Sequence, residues 1–147
     1  MFMYDPFGAL YIHIPFCAQR CLYCDFATRA VAVDDPCIAA YVDSLISAIR
    51  KASRVGELGS LDTVYIGGGT PSYLGNKNLS NILYILSLSM HLTPEIECTL
   101  EANPESFTEA MAKDLWALGV NRLSFGVQSF NDDLLISIGR IHTAQRA

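Results

Sequence analysis

Three cysteines, Cys17, Cys21 and Cys24, fall within eight residues and are spaced C-x3-C-x2-C. A thiolate is a soft ligand that suits iron–sulfur clusters, zinc or copper(I). A cubane iron–sulfur cluster usually takes four cysteines, so a cluster held by these three leaves one iron open to an outside ligand. Asp25 is adjacent to Cys24, but its carboxylate is a poor match for that iron. Zinc sites usually pair such cysteines with partners downstream. The downstream candidates here are Cys37, Cys98, His91 and His142, and none is in a paired spacing. The odd count of five cysteines disfavours a disulfide framework. An iron–sulfur site is therefore preferred over zinc.

Length and composition narrow the setting. A chain of 147 residues makes one domain or part of one. A hydrophobic fraction of 51% with 17% charged residues describes a packed globular protein. The net charge of −5 does not point to a nucleic-acid backbone as partner. Met1 to Pro6 carries no basic segment followed by an apolar run, so it does not read as a secretory signal. No run of 18 or more apolar residues predicts a membrane span. A reducing, cytoplasmic setting fits the thiols. No internal repeat or low-complexity linker is visible.

The elements that must position these residues follow in order. Leu10 to Ile14, ended by Pro15, reads as a strand, and the cysteine loop follows it. Asp34-Asp35-Pro36 reads as a helix start. Ile38, Tyr41, Val42, Leu45, Ile46 and Ile49 recur on one helical face. Arg50, Lys51 and Arg54 suit the carboxyl end of its dipole, and Gly56 and Gly59 mark the exit. A second strand spans Leu61 to Ile66, followed by the Gly67–Pro71 loop. Leu79, Ile82, Leu83, Leu86 and Met90 predict a second amphipathic helix. Glu95 to Glu101 is a third strand. Ser106 and Glu109 have the spacing of a capping box for a third helix, which Gly119 ends. Arg122 to Val127 is a fourth strand, and Asn131 to Ile138 a short fourth helix. The alternation predicts α/β architecture with parallel βα units. The pattern alone fits either an open doubly wound sheet or a barrel.

In such architectures functional residues gather at the carboxyl ends of the strands, and here every motif sits at such an end. Gly67-Gly68-Gly69-Thr70 allows close approach of a ligand to backbone N–H and C=O groups, although a tight turn would use the same residues. It lacks the spacing of a nucleotide-phosphate loop. Glu101 offers a carboxylate acceptor at the end of the third strand; a solvated strand end reads the same way. Gln128 offers both donor and acceptor after the fourth. Arg140 can clamp a carboxylate with two hydrogen bonds, or be a surface arginine near a helix end. Tyr11 and His13 share one strand face, where His13 reads as a hydrogen-bonded core histidine. Cys37 and Cys98 read as buried small hydrophobes.

The cysteine spacing, with Tyr23 just before the third cysteine, resembles the radical S-adenosylmethionine superfamily. The run Tyr11-Ile12-His13-Ile14-Pro15-Phe16-Cys17 is similar to the oxygen-independent coproporphyrinogen III oxidases and the HemW-type heme chaperones. The resemblance extends from about Leu10 to Arg140. It implies a partial (β/α)6 TIM barrel, of which four parallel βα units over 1–147 form the first part, leaving the barrel incomplete. It implies that Cys17, Cys21 and Cys24 hold a [4Fe–4S] cluster whose open iron is chelated by S-adenosylmethionine. It assigns cofactor contacts to Tyr11, Tyr23, Gly68, Gly69, Thr70, Glu101, Gln128 and Arg140. Reduction by the cluster would cleave the sulfonium to a 5′-deoxyadenosyl radical. The oxidases extend the motif to C-x3-C-x2-C-x-C, whereas this chain has Phe26 at the last position. That difference points to a heme chaperone, with heme as bound cargo and heme-accepting proteins as partners. The alternative is an oxidase that decarboxylates coproporphyrinogen III; a non-catalytic iron–sulfur scaffold is a third reading.

Overall fold

A computed structural model describes residues 7–58, 61–90 and 95–147 of the chain. Met1 to Pro6, Gly59 and His91, all named above, lie outside the described residues. The elements are β1 (Ala9–Ile14), β2 (Phe16–Cys17), β3 (Arg29–Ala30), α1 (Pro36–Arg54), β4 (Thr63–Gly68), α2 (Gly75–Ser89), β5 (Glu97–Ala102), α3 (Glu109–Ala117), β6 (Arg122–Phe125) and α4 (Asp132–Ser137). Single 3-10 turns at Pro71–Leu74 and Pro104–Ser106 follow β4 and β5.

The main sheet is parallel with order β1-β4-β5-β6. Strand order follows chain order without reversal, so the sheet grows in one direction. A doubly wound sheet reverses at a switch point; continuous order is the arrangement of a barrel wall. Helices α1, α2 and α3 pack side by side. Alternation sends Ile12, Ile14, Val64, Ile66, Cys98 and Leu100 to the helical side, where all are buried. They meet Ile38, Val42 and Ile49 of α1, the α2 row Leu79, Ile82, Leu83 and Leu86, and Met111 and Leu115 of α3. The opposite, concave face is polar: Tyr11 pairs with Tyr65, Tyr65 with Thr99, and Thr99 with Arg122. One apolar face packed under helices and one polar face is the arrangement of a (β/α) barrel wall.

Local chemistry sets the helix ends. The Asp35 carboxylate accepts from Cys37 N–H (2.9 Å), with Pro36 in the first turn and Lys51 and Arg54 in the last. The capping box expected at Ser106 does not form. Thr108 caps α3 instead, its hydroxyl accepting from Met111 N–H at 3.1 Å. Ser106 is drawn into the Pro104 turn, where its hydroxyl meets Ser72 Oγ at 2.5 Å. Gly119 follows the end of α3 with φ +102, as expected for a C′ residue. β4 runs two residues further than Leu61–Ile66 predicts, because His13 and Ile14 of β1 continue the ladder onto Gly67 and Gly68. β6 stops at Phe125, two residues early, because the chain turns at Gln128 with φ +66.

β6 is an edge strand, and Leu123, Phe125, Phe130 and Ile136 near it are exposed. Unpaired edges with apolar neighbours invite association between chains. The 147-residue chain is expected to self-associate in size-exclusion chromatography, and Phe125→Lys is expected to shift it toward monomer. A monodisperse monomer at high concentration would contradict this.

Candidate metal-cluster site

The carboxyl ends of the four main strands face one cleft of about 290 Å³. Its wall carries Cys17, Cys21 and Cys24, the Gly68–Thr70 turn, Glu101 and Asn103, Gln128, and Arg140. The cysteine loop is closed at its base by the short β2–β3 pair, with Val31 N–H donating to Cys17 O at 3.1 Å and Arg29 N–H to Pro15 O at 2.7 Å. At its tip it is tied to the end of α4. Leu22 N–H donates to Ile138 O (3.3 Å) and Gln19 Nε2 to Gly139 O (2.6 Å).

Cys17 is set by the glycine turn. Gly69 N–H donates to Ile14 O (2.7 Å) and Thr70 N–H to Phe16 O (2.8 Å), so the turn runs flush against β1 and β2. A Cβ at Gly69 would stand 2.7 Å from the Phe16 oxygen and 2.9 Å from Cys17 Sγ. Only a residue without a side chain fits that approach. The Thr70 hydroxyl then donates to Cys17 Sγ at 3.5 Å while accepting from Asn103 Nδ2 at 3.0 Å. Burial pushes the Cys17 thiol upward in pKa, and the Thr70 bond works against it.

Arg140 serves Cys21. Helix α4 ends in a Schellman turn: Gly139 N–H donates to Ile136 O (3.0 Å) and Arg140 N–H to Leu135 O (2.8 Å), with Gly139 at φ +77. Glycine takes that left-handed conformation without penalty, and the turn sends Arg140 back into the cleft. Its side chain is only 6% exposed, which rules out a surface arginine. Nη1 donates to Cys21 Sγ (3.4 Å) and Nη2 to Gly126 O (2.8 Å), with Glu105 Oε2 at 3.7 Å. Burial alone would lower the guanidinium pKa, but the Cys21 bond and the Glu105 charge outweigh it and raise it. Buried Nε has no hydrogen-bond partner, a donor left over for a ligand acceptor.

Both oxygens of Glu101 are engaged, by Tyr65 OH (2.6 Å) and Gly68 N–H (3.0 Å), which fixes the carboxylate toward the cleft. Tyr23 lines the cleft, and burial together with the Cys21 charge raises its phenol pKa. Tyr11 is not brought into the cleft. It is 57% exposed on the concave face, bonded to His13 Nδ1 at 3.0 Å and stacked on Tyr65. His13 is hydrogen-bonded through both ring nitrogens, the second to Ala27 O, but is only half-buried. Asn103, Glu105 and His142 belong to the site, yet no period or spacing assigned them to it; Asn103 and Glu105 sit just past the end of β5, which was their only signal, while His142 follows α4 and was weighed above only as a zinc candidate.

Among the described residues, all five cysteines are free of disulfides, and no three His, Cys, Asp or Glu side chains converge on one point as a single metal ion requires. Of the downstream zinc candidates, Cys98 is buried under the helices with its pKa pushed up to about 11 by burial. Cys37 starts α1 and is half-buried rather than fully so. His142 is hydrogen-bonded to Val127 O. The Asp25 side chain is fully exposed and faces Arg20. Three half-exposed thiols around an open cleft, with hydrogen bonds already aimed at two of them, fit a thiolate-ligated cluster.

Replacing Cys17, Cys21 or Cys24 by alanine is expected to abolish a stable cluster after anaerobic reconstitution, read by iron and sulfide counting. Gly69→Ala should do the same with every thiol present. Cys37→Ala and Cys98→Ala should keep the cluster, at a stability cost of about 1 kcal/mol for the buried site. Full cluster content in Cys21→Ala, or one equivalent of zinc in the unaltered chain, would sink the assignment.

Comparison with known proteins agrees with this geometry. The chain is 44% identical over 136 residues to heme chaperone HemW of Lactococcus lactis, covering 92% of this chain and 34% of that protein. It is 38% identical over 139 residues to heme chaperone HemW of Escherichia coli, covering 95% and 36% respectively. It thus spans about a third of the length of these curated relatives. The solved structure of coproporphyrinogen III oxidase (HemN) from Escherichia coli, a radical SAM enzyme, superposes with a TM-score of 0.83 at 28% identity, covering 94% of this chain and 32% of that one. The family profile of the radical SAM superfamily matches residues 11–147. The chain belongs to the radical SAM superfamily.

Proposed function

We propose that the protein binds a [4Fe–4S] cluster and S-adenosylmethionine and acts as a HemW-type heme chaperone, delivering heme to accepting proteins. The four βα units form the first part of its (β/α)6 core. Cys17, Cys21 and Cys24 hold the cluster. Thr70 and Arg140 orient two of the thiolates, while Glu101, Gln128, Gly68, Gly69 and the free Arg140 Nε present donors and acceptors for the amino, carboxylate and ribose groups of S-adenosylmethionine. Tyr23 closes one side. Bound together, the two cofactors supply one-electron reductive cleavage of the sulfonium. This chain's residues supply placement, charge balance and exclusion of water.

The observation that carries the choice of chaperone is Phe26. It lines the cleft, 68% exposed, where the oxidases of the resembling group have a further cysteine. The HemW proteins of the comparison are chaperones by name, and identity to them is higher than to the oxidase structure. The five thiols suit a reducing, cytoplasmic setting, and among the described residues no helix is long and apolar enough to cross a membrane. The alternative is the oxidase reaction, which the fold would accommodate.

Reconstituted protein is expected to bind heme in an absorbance titration and pass it to an apo acceptor. It is expected to leave coproporphyrinogen III unchanged under reducing, anaerobic conditions. Decarboxylation to protoporphyrinogen IX would reverse the choice. Phe26→Cys is not expected to create that activity, because substrate fit depends on many residues; turnover by that single variant, followed by product chromatography, would show the ranking to be wrong.

A further inference from the structure

His142 is the most deeply buried titratable side chain near the cleft, with 0% exposure, and the cofactor scheme gives it no part. Its ring nitrogens have distinct neighbours. Nε2 lies 3.1 Å from Val127 O; a carbonyl only accepts, so Nε2 carries a hydrogen. Nδ1 lies 3.3 Å from Glu105 Oε2 and 3.5 Å from Arg140 Nη2. His142 therefore touches two ligand-facing segments from behind.

The first is the turn bearing Gln128. Ser129 N–H donates to Val127 O at 2.8 Å, and Gln128 between them has φ +66. A residue two bonds across with positive φ is a γ-turn of the rare, strained kind. Such a conformation persists where the surroundings over-determine it. The second hydrogen bond to the same carbonyl, from His142, is that extra constraint. The other segment is Arg140, whose Nη2 is held by Gly126 O and flanked by Glu105 and His142.

We propose that His142, with Glu105, is a positioning residue that fixes Gln128 and Arg140 together for the ribose and carboxylate ends of one ligand; this rests on the S-adenosylmethionine reading above. The Val127 bond sets Gln128, and Glu105 and His142, which flank Nη2 at 3.7 and 3.5 Å, set Arg140. Because one ring serves both, the distance between the two ligand-facing groups is defined by a single rigid side chain.

The test is equilibrium binding to the cluster-reconstituted chain of three compounds: S-adenosylmethionine, its decarboxylated analogue and its 2′-deoxy analogue. The two affinity ratios report the carboxylate and ribose contacts separately. His142→Ala is expected to lower both ratios roughly tenfold, the order typical of supporting residues behind a site. His142→Gln, which retains a donor for Val127 O and an acceptor toward Arg140, should restore most of each. Glu105→Gln should lower the carboxylate ratio alone. Equal weakening of all three compounds, or unchanged ratios, in folded His142→Ala would overturn the proposal. Thermal unfolding reports folding; should His142→Ala not fold, an unchanged carboxylate ratio in Glu105→Gln is the overturning result. Absence of any discrimination by the unaltered chain would instead remove Arg140 and Gln128 as cofactor contacts, and this proposal with them.

Discussion

The site depends on one close approach, that of the Gly69 backbone to the ends of β1 and β2. Two short hydrogen bonds, Gly69 N–H to Ile14 O and Thr70 N–H to Phe16 O, pin the turn to the base of the cysteine loop. From that contact follow the Thr70 bond to Cys17, the Asn103 bond behind it, and the seating of Gly68 N–H on Glu101. The parallel ladder between β1 and β4 brings the two segments side by side. The apolar packing beneath, with Ile14 and Ile66 wholly buried, keeps them there. Site and core are two faces of the same strands.

Charge is balanced across the cleft rather than within one element. The thiols come from the first loop, the guanidinium from the last helix end, and the Glu105 carboxylate from the turn after β5. Removing a buried arginine would leave Glu105 facing only His142, and an uncompensated buried charge is costly. The polar groups therefore support one another's placement, while hydrophobic burial on the opposite face holds the scaffold.

Much of this was legible in the sequence. Three free thiols at fixed spacing, a glycine run at a strand end and four βα units are local patterns, and the structure shows each, with the first two glycines drawn into β4. The choice between barrel and doubly wound sheet was not legible in the element pattern, because strand order is a long-range property; only the resemblance implied the barrel. Ser106 satisfied the spacing of a capping box, but a tertiary contact with Ser72 took its hydroxyl and left the cap to Thr108. Tyr11 lies on the strand that leads into the cysteine loop, yet alternation and register stack it on Tyr65, behind Glu101, rather than among the residues lining the cleft. Glu105 and His142 carry no period and no motif; what joins them to the site is contact with Arg140 and Val127, which no local pattern shows.

The ties between the cysteine loop and the end of α4 join residues about 120 positions apart, Gln19 to Gly139 and Cys21 to Arg140. Contacts of such separation close a long loop and carry its closure entropy. During synthesis from the N-terminus, the three thiols leave the ribosome long before the arginine that bonds Cys21 exists. The cysteine loop thus has its β2–β3 base early and its tie to the end of α4 much later. Between those events the three thiols stand without the guanidinium that bonds Cys21.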